Sequence, residues 1–176
     1  MNLQSQIVDS IGRSVIHVFS TMIDVELGPG EASIERSAPG ATDGVVSFIG
    51  VAGAWAGTGS VFCSPDLACR VCNQMLMTDN REVNEEVLDA VAELTNMIVG
   101  SVKTDLEGLV GPLGLSIPTV VFGRNFRTRS AGTADWVVVR FHWEGEVLLV
   151  KLCLAPRERP ARILSHPAGH AWQVDA

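Results

Sequence analysis

Between residues 84 and 109 the chain alternates apolar and polar positions with a helical period. Read at about 100° per residue, Val87, Leu88, Val91, Leu94, Ile98, Val102, Leu106 and Leu109 fall on one side. Glu86, Asp89, Glu93, Asn96, Gly100, Lys103 and Glu107 fall on the other. Asn84 is placed to cap this helix, Glu85 and Glu86 suit the positive end of its dipole, and Gly108 and Gly111-Pro112 stop it. The same period predicts a helix over residues 3–21, with Ile7, Ile11, Val15, Val18 and Met22 in line and Phe19 beside them. Ser64-Pro65-Asp66 starts a third helix, running to about Leu76, with Ser as N-cap and Pro in the first turn.

The remaining segments carry the two-residue period or the turn residues of strands. Residues 22–34 read as a strand interrupted at Gly28-Pro29-Gly30, followed by a turn-rich connection, "SAPGATDG". Residues 45–53 and 57–63 predict a hairpin turning near 54–59. Residues 117–123 predict a strand and 125–133 a polar loop carrying Arg127 and Arg129, just after Arg124. Residues 136–143 and 147–154 predict a second hairpin around Glu144-Gly145. In its first strand Val137, Val139 and Phe141 alternate with Val138, Arg140 and His142, a half-buried pattern. The order helix, strands, two helices, strands implies an α+β fold, with helices packed on a mainly antiparallel sheet. Residues 1–156 are expected to form one domain, and 157–176, which have little periodicity, a C-terminal tail.

Composition narrows the class. The chain has 176 residues and a net charge of −7, from 13 basic and 20 acidic side chains, with no basic cluster. Nucleic-acid binding needs concentrated Lys and Arg, so that class is set aside. Residues 44–65 carry one charge-free run after Asp43, but Gly50, Gly53, Gly57 and Gly59 interrupt it, so a hairpin is expected rather than a membrane span. The N-terminus lacks a basic region followed by a long apolar run, and a cytoplasmic protein with reduced thiols at Cys63, Cys69, Cys72 and Cys153 is expected.

The candidate chemistry sits on the polar face of the long helix. Glu93 and Asn96, at i and i+3, are neighbours near its middle. Gly100 follows one turn later and leaves room for another molecule to approach. A carboxylate and an amide on a rigid exposed helix can recognise a charged group and orient a water; they are poorly suited to covalent chemistry. An ordinary solvated face would have the same spacing.

The wording of the helix goes further. "DAVAELTNMIVGSVKTDL" resembles the signature of the CheX and CheC type of chemotaxis phosphatase, which share an E-x-x-N pair within "ELTNMI-x-G". "VIHVFSTMIDVELGPGE", "GVVSFIGVAGAWAGTGSVFCSP" and "LSIPTVVFG" resemble the CheX type in the expected order, so the likeness covers roughly residues 5–155. It implies a CheC-like fold and hydrolysis of the aspartyl phosphate of a CheY-like response-regulator receiver domain. By that resemblance Asn96 orients the attacking water and Glu93 pairs with the receiver's lysine. Asp89, Gly100 and Lys103 are candidates for contact with the partner. The Mg²⁺ belongs to the receiver, and no cofactor or metal is expected on this chain. Relatives of the CheC type carry a second E-x-x-N helix; residues 3–21 have none, so one site per chain is expected, as in the CheX type. Relatives of the CheX type pair as homodimers by joining sheet edges, and the strong strands 137–141 and 147–152 fit such a pairing.

Other motifs have plainer readings. Cys69 and Cys72 form C-x-x-C within a helix, without a second such pair, and read as buried structural thiols. His166 and His170 lie in the expected tail; His17 and His142 read as surface or edge residues, and Trp55, Trp136 and Trp143 as packing residues. A receiver-binding adaptor without catalysis is the alternative function, and the intact Glu93–Asn96 pair favours the enzyme.

Overall fold

A single antiparallel sheet carries the architecture, and the computed structural model describes residues 2–36, 41–127 and 135–157 of it and its helices. The sheet has seven strands among the described residues. These are β1 (Glu31–Glu35), β2 (Ala41–Gly53), β3 (Trp55–Cys63), β4 (Leu113–Leu115), β5 (Thr119–Arg127), β6 (Trp136–Trp143) and β7 (Glu146–Pro156). The order is β1-β6-β7-β3-β2-β4, and β5 pairs with β2 beside β4. Every pairing is antiparallel. The α+β expectation holds.

Three helices, α1 (Leu3–Val18), α2 (Pro65–Leu76) and α3 (Glu85–Val110), lie on one face of this sheet. The caps expected at Ser64 and Asn84 are present, Ser64 Oγ accepting from Leu67 N–H (3.1 Å) and Asn84 Oδ1 from Val87 N–H (3.0 Å), and Asn2 Oδ1 caps α1 by accepting from Ser5 N–H (2.8 Å). The core lies between the layers. Val45, Ile49, Val61, Val139, Phe141 and Val150 rise from the strands to meet Ile11, Val15, Leu67, Val91, Leu94 and Ile98. Each such side chain, fully enclosed, contributes on the order of 1.5–3 kcal/mol before conformational entropy is counted.

Four expectations need correction. The first helix does not end at residue 21, nor does a strand begin at Met22. A π-helical turn, Phe19–Ile23, continues α1 and ends at left-handed Asp24 (φ 57°). The wide turn buries both Phe19 and Ile23, while Thr21 Oγ1–H donates back to His17 O (2.7 Å). Of residues 22–34 only Glu31 onward is strand, because Pro29 has no N–H to give a ladder.

The first hairpin turns tightly at Ala54, with Ala52 opposite Ala56, and its strands extend to Ala41 and Trp55. Gly57 and Gly59 therefore lie inside a strand. They serve close packing: a Cβ at Gly57 would collide with Cys153 O on β7.

Residues 125–127 belong to β5, not to a loop, and the short β4 precedes it. Arg129 lies outside the described residues, as do His166, His170 and residues 158–176 of the expected tail.

The strands 137–141 and 147–152 offer no free edge. β6 is paired with β1 and β7, and β7 with β6 and β3, so both are interior. Val138 is fully buried in a small cluster with Trp136 and Cys153, where simple alternation predicted exposure. The expected turn at Glu144-Gly145 is present, both residues left-handed at φ 49° and 84°.

Candidate functional site

The long helix is held against the sheet along one stripe, so its opposite stripe is fixed in space. Val87, Val91, Leu94, Ile98, Val102 and Leu106 are all buried. Between the two candidate residues Thr95 points inward, and its hydroxyl donates to Val91 O (2.8 Å), which satisfies it within the core. Glu93 and Asn96 flank it and both are exposed. Among the described residues neither side chain makes a hydrogen bond or ion pair. Their full donor and acceptor capacity is thus open to an incoming molecule.

The rest of the polar face is uneven. Asp89 is exposed and, among the described residues, unpaired. Gly100 is half-buried; the nearest atom to an added Cβ would be Leu115 Cδ1 at 4.0 Å, so space exists beyond the helix there. Lys103 is already engaged, with Nζ 3.0 Å from Glu107 Oε1. Glu107 also accepts the N–H of Leu113 (2.9 Å), and that bond first, then Lys103, holds its carboxyl below the ordinary carboxylate range. Met97, beside the stripe, is half-buried against the core.

Both flanks of the helix are locked. On one side Ser14 Oγ–H donates to Ser101 Oγ (2.9 Å), and Asp105 accepts from Ser10 Oγ–H (2.7 Å) and Arg13 (2.8 Å). The Ser10 hydrogen bond, then Arg13, lowers the pKa of Asp105. On the other side, near its start, Asn80 Nδ2–H donates to Glu86 Oε2 (2.7 Å) and the Cys72 thiol lies 3.7 Å from Glu86 O. Sequence reading missed this Asn80 clasp; the paired Asn73 and Asn80 around "MLMT" were the available signal.

The surroundings offer little chemistry of their own. The four thiols are buried, and burial raises each; Cys63 is pushed up to about 12, by burial first, then by Cys69 and Glu146. Protonated, enclosed thiols are poor nucleophiles. Among the described residues no three His, Cys, Asp or Glu side chains gather as metal ligands. Two surface hollows, of about 360 and 290 Å³, lie at Phe122–Arg124 with Arg81 and at Arg13–Asp105 with Leu109; neither is lined by Glu93 or Asn96. Glu93 and Asn96 stand apart from both hollows, on the exposed stripe of the helix. Among the described residues no helix is long and apolar enough to cross a membrane.

Comparison with known proteins adds to this geometry. The family model described as "Chemotaxis phosphatase CheX" matches residues 45–142. The curated "CheY-P phosphatase CheX" of Thermotoga maritima is 28% identical over 131 residues, 74% of this chain and 84% of that protein. A CheC-like superfamily protein from Shewanella sp. PV-4 superimposes with a TM-score of 0.76 at 26% identity, covering 88% of this chain and 99% of its own, so the fold is CheC-like. The fold is also that of the CheX in a CheX–CheY–BeF3–Mg²⁺ complex from Borrelia burgdorferi, with TM-score 0.69, 18% identity, and 84% and 97% coverage.

Proposed function

The chain belongs to the chemotaxis phosphatase CheX family, and on that premise we propose that it hydrolyses the aspartyl phosphate of a CheY-like receiver domain. The observation that carries the reading is the outward, unpartnered Glu93–Asn96 pair on a helix clamped along both flanks. The names of the Thermotoga phosphatase and of the Borrelia complex with CheY support it.

An acyl phosphate is already reactive, so catalysis is mostly positioning. The Glu93 carboxylate pairs with the receiver's lysine and sets the register of the helix. Asn96 enters the phosphorylated pocket, where its amide accepts one hydrogen bond from a water and donates another without titrating. The water attacks phosphorus in line, the P–O bond to the aspartate breaks, and the aspartate leaves as carboxylate with inorganic phosphate released. The receiver's own Mg²⁺ supplies charge neutralisation; this chain contributes no metal. Asp89 and Gly100 lie within the docking stripe, and Lys103 stays with Glu107 unless the partner draws it away.

Two copies pair through the free edge of β5. That strand is nine residues long, borders no further strand among the described residues, and exposes Val121 and Phe122. The other edge, β1, has only five residues, two of them glutamates.

The test is the lifetime of a phosphorylated receiver with Mg²⁺. Wild type shortens it, and Asn96→Ala loses about 10²-fold or more of that effect, the scale seen when one positioned polar group is removed. A wild-type protein that binds the phosphorylated receiver and leaves its lifetime unchanged is an adaptor instead.

A further inference from the structure

At the C-terminal end of α2 the chain turns through Met77, which is left-handed at φ 56° and 94% exposed. Left-handed backbone is disfavoured for a residue with a side chain. Single exposed apolar residues are ordinary, but this one stands on a turn that is braced from several directions. The N–H groups of Met77 and Thr78 both donate to Asn73 O. Asn73 Oδ1 accepts from Thr78 Oγ1–H (3.1 Å) and Asn80 N–H (2.7 Å), while Asn73 Nδ2–H donates to Asn80 O (2.9 Å). Asn80 then reaches across to Glu86 on α3 (2.7 Å). The brace ties an apolar tip rigidly to the helix that carries Glu93 and Asn96.

Distance decides what the tip can meet. Glu86 shares the outer stripe with Glu93, two turns away, about 10 Å along the axis at ~1.5 Å per residue. An ordinary protein interface covers roughly 800 Å² per partner, a patch about 30 Å across. A receiver seated on Glu93 and Asn96 meets the α2 end where its footprint extends toward the N-terminal end of α3, to which Asn80 ties that turn. Methionine is enriched in interfaces, and its unbranched side chain adapts to an irregular surface. Half-exposed Leu76 extends the apolar area.

We infer that Met77 is an apolar anchor for the receiver domain, inserting against a nonpolar patch beside the receiver's phosphorylated pocket; this rests on the function proposed above. Glu93 and Asn96 act on the reacting centre, whereas Met77 supplies affinity alone. Pre-fixing its turn removes ordering cost from the encounter.

The experiment is steady-state dephosphorylation of a phosphorylated receiver by wild type, Met77→Asn and Asn73→Ala. Asparagine tolerates the left-handed conformation, so Met77→Asn keeps the turn and the thermal midpoint. It is expected to raise KM about tenfold with kcat retained at saturating receiver. Asn73→Ala, which leaves Met77 in place and loosens its turn, is expected to raise KM by a smaller factor. A Met77→Asn KM equal to that of active wild type overturns the anchor and leaves the phosphatase reading standing. If Met77→Asn changes the oligomeric state instead, the tip belongs to a contact between copies. If wild type itself has no effect on receiver lifetime, the phosphatase reading fails and the anchor with it.

Discussion

Gly59 on β3 lies directly beneath Val99 on α3: a Cβ added to Gly59 would stand 2.8 Å from Val99 Cγ2 and 3.2 Å from Ile49 Cγ2. The missing side chain lets the helix settle close to the sheet. Val99 is one turn beyond Asn96 on the inward side, so this contact sets the height at which the acid–amide pair is presented.

Gly59→Ala is therefore expected to destabilise the protein by about 1–3 kcal/mol through overpacking against a stiff β-branched neighbour. Val99→Ala alone should cost on the order of 2 kcal/mol by leaving a void. Together the two fit each other, and the double variant should lose at least about 0.5 kcal/mol less than their sum. Urea unfolding of the four proteins measures the coupling; strict additivity would remove the contact as the determinant of helix height.

Glu93 is expected to act through charge. If it pairs with a receiver lysine, wild-type KM rises as salt screens the attraction. Glu93→Gln should raise KM roughly tenfold or more at low salt and flatten that dependence, since the lost term is mostly ionic. Its kcat should fall less than that of Asn96→Ala. Equal salt slopes in wild type and Glu93→Gln would show that no such pair forms.

Asp105 links α1 to α3 and gives a pH signature. Its folded pKa is lowered, by the Ser10 hydrogen bond first and Arg13 next. A lowered carboxylate contributes stability that is present above its unfolded value of about 3.9 and withdrawn as pH falls through the folded one. Stability should thus decline below about pH 4, and Asp105→Asn should decline less steeply there while being less stable at neutral pH. The Arg13 partner is well exposed, so the effect should be modest and salt-sensitive. Acid unfolding midpoints of the two proteins decide the matter.

The β5 edge predicts a dimer that one charge can open. Light scattering of wild type should give twice 18.8 kDa, and Val121→Lys or Phe122→Lys should shift it toward the single-chain mass, because a buried lysine blocks edge pairing. Receiver dephosphorylation should persist in the monomer, since Glu93 and Asn96 lie on the helical face and not on the strand edge. A concentration-independent monomer in wild type would end the pairing proposal.

What the sequence determined by itself is local. The period of residues 84–109 placed Glu93 and Asn96 on the outer stripe, and Asn84, Ser64-Pro65 and Glu144-Gly145 marked a cap, a helix start and a turn, because each depends on neighbours within a few residues. Tertiary structure decided what depends on distant partners. Residues 137–141 and 147–152 read as strong strands, yet only the pairing order shows them interior and leaves β5 at the edge. In the sequence Gly57 and Gly59 fall where the expected strand and turn overlap, and only the fold shows Cys153 and Val99, far along the chain, pressing on them. Phe19 from the expected helix and Ile23 from the expected strand join in one π turn, where both are buried in the core. Backbone period is written every few residues; the edge a strand keeps free, and the neighbour a glycine admits, are fixed only when remote segments meet.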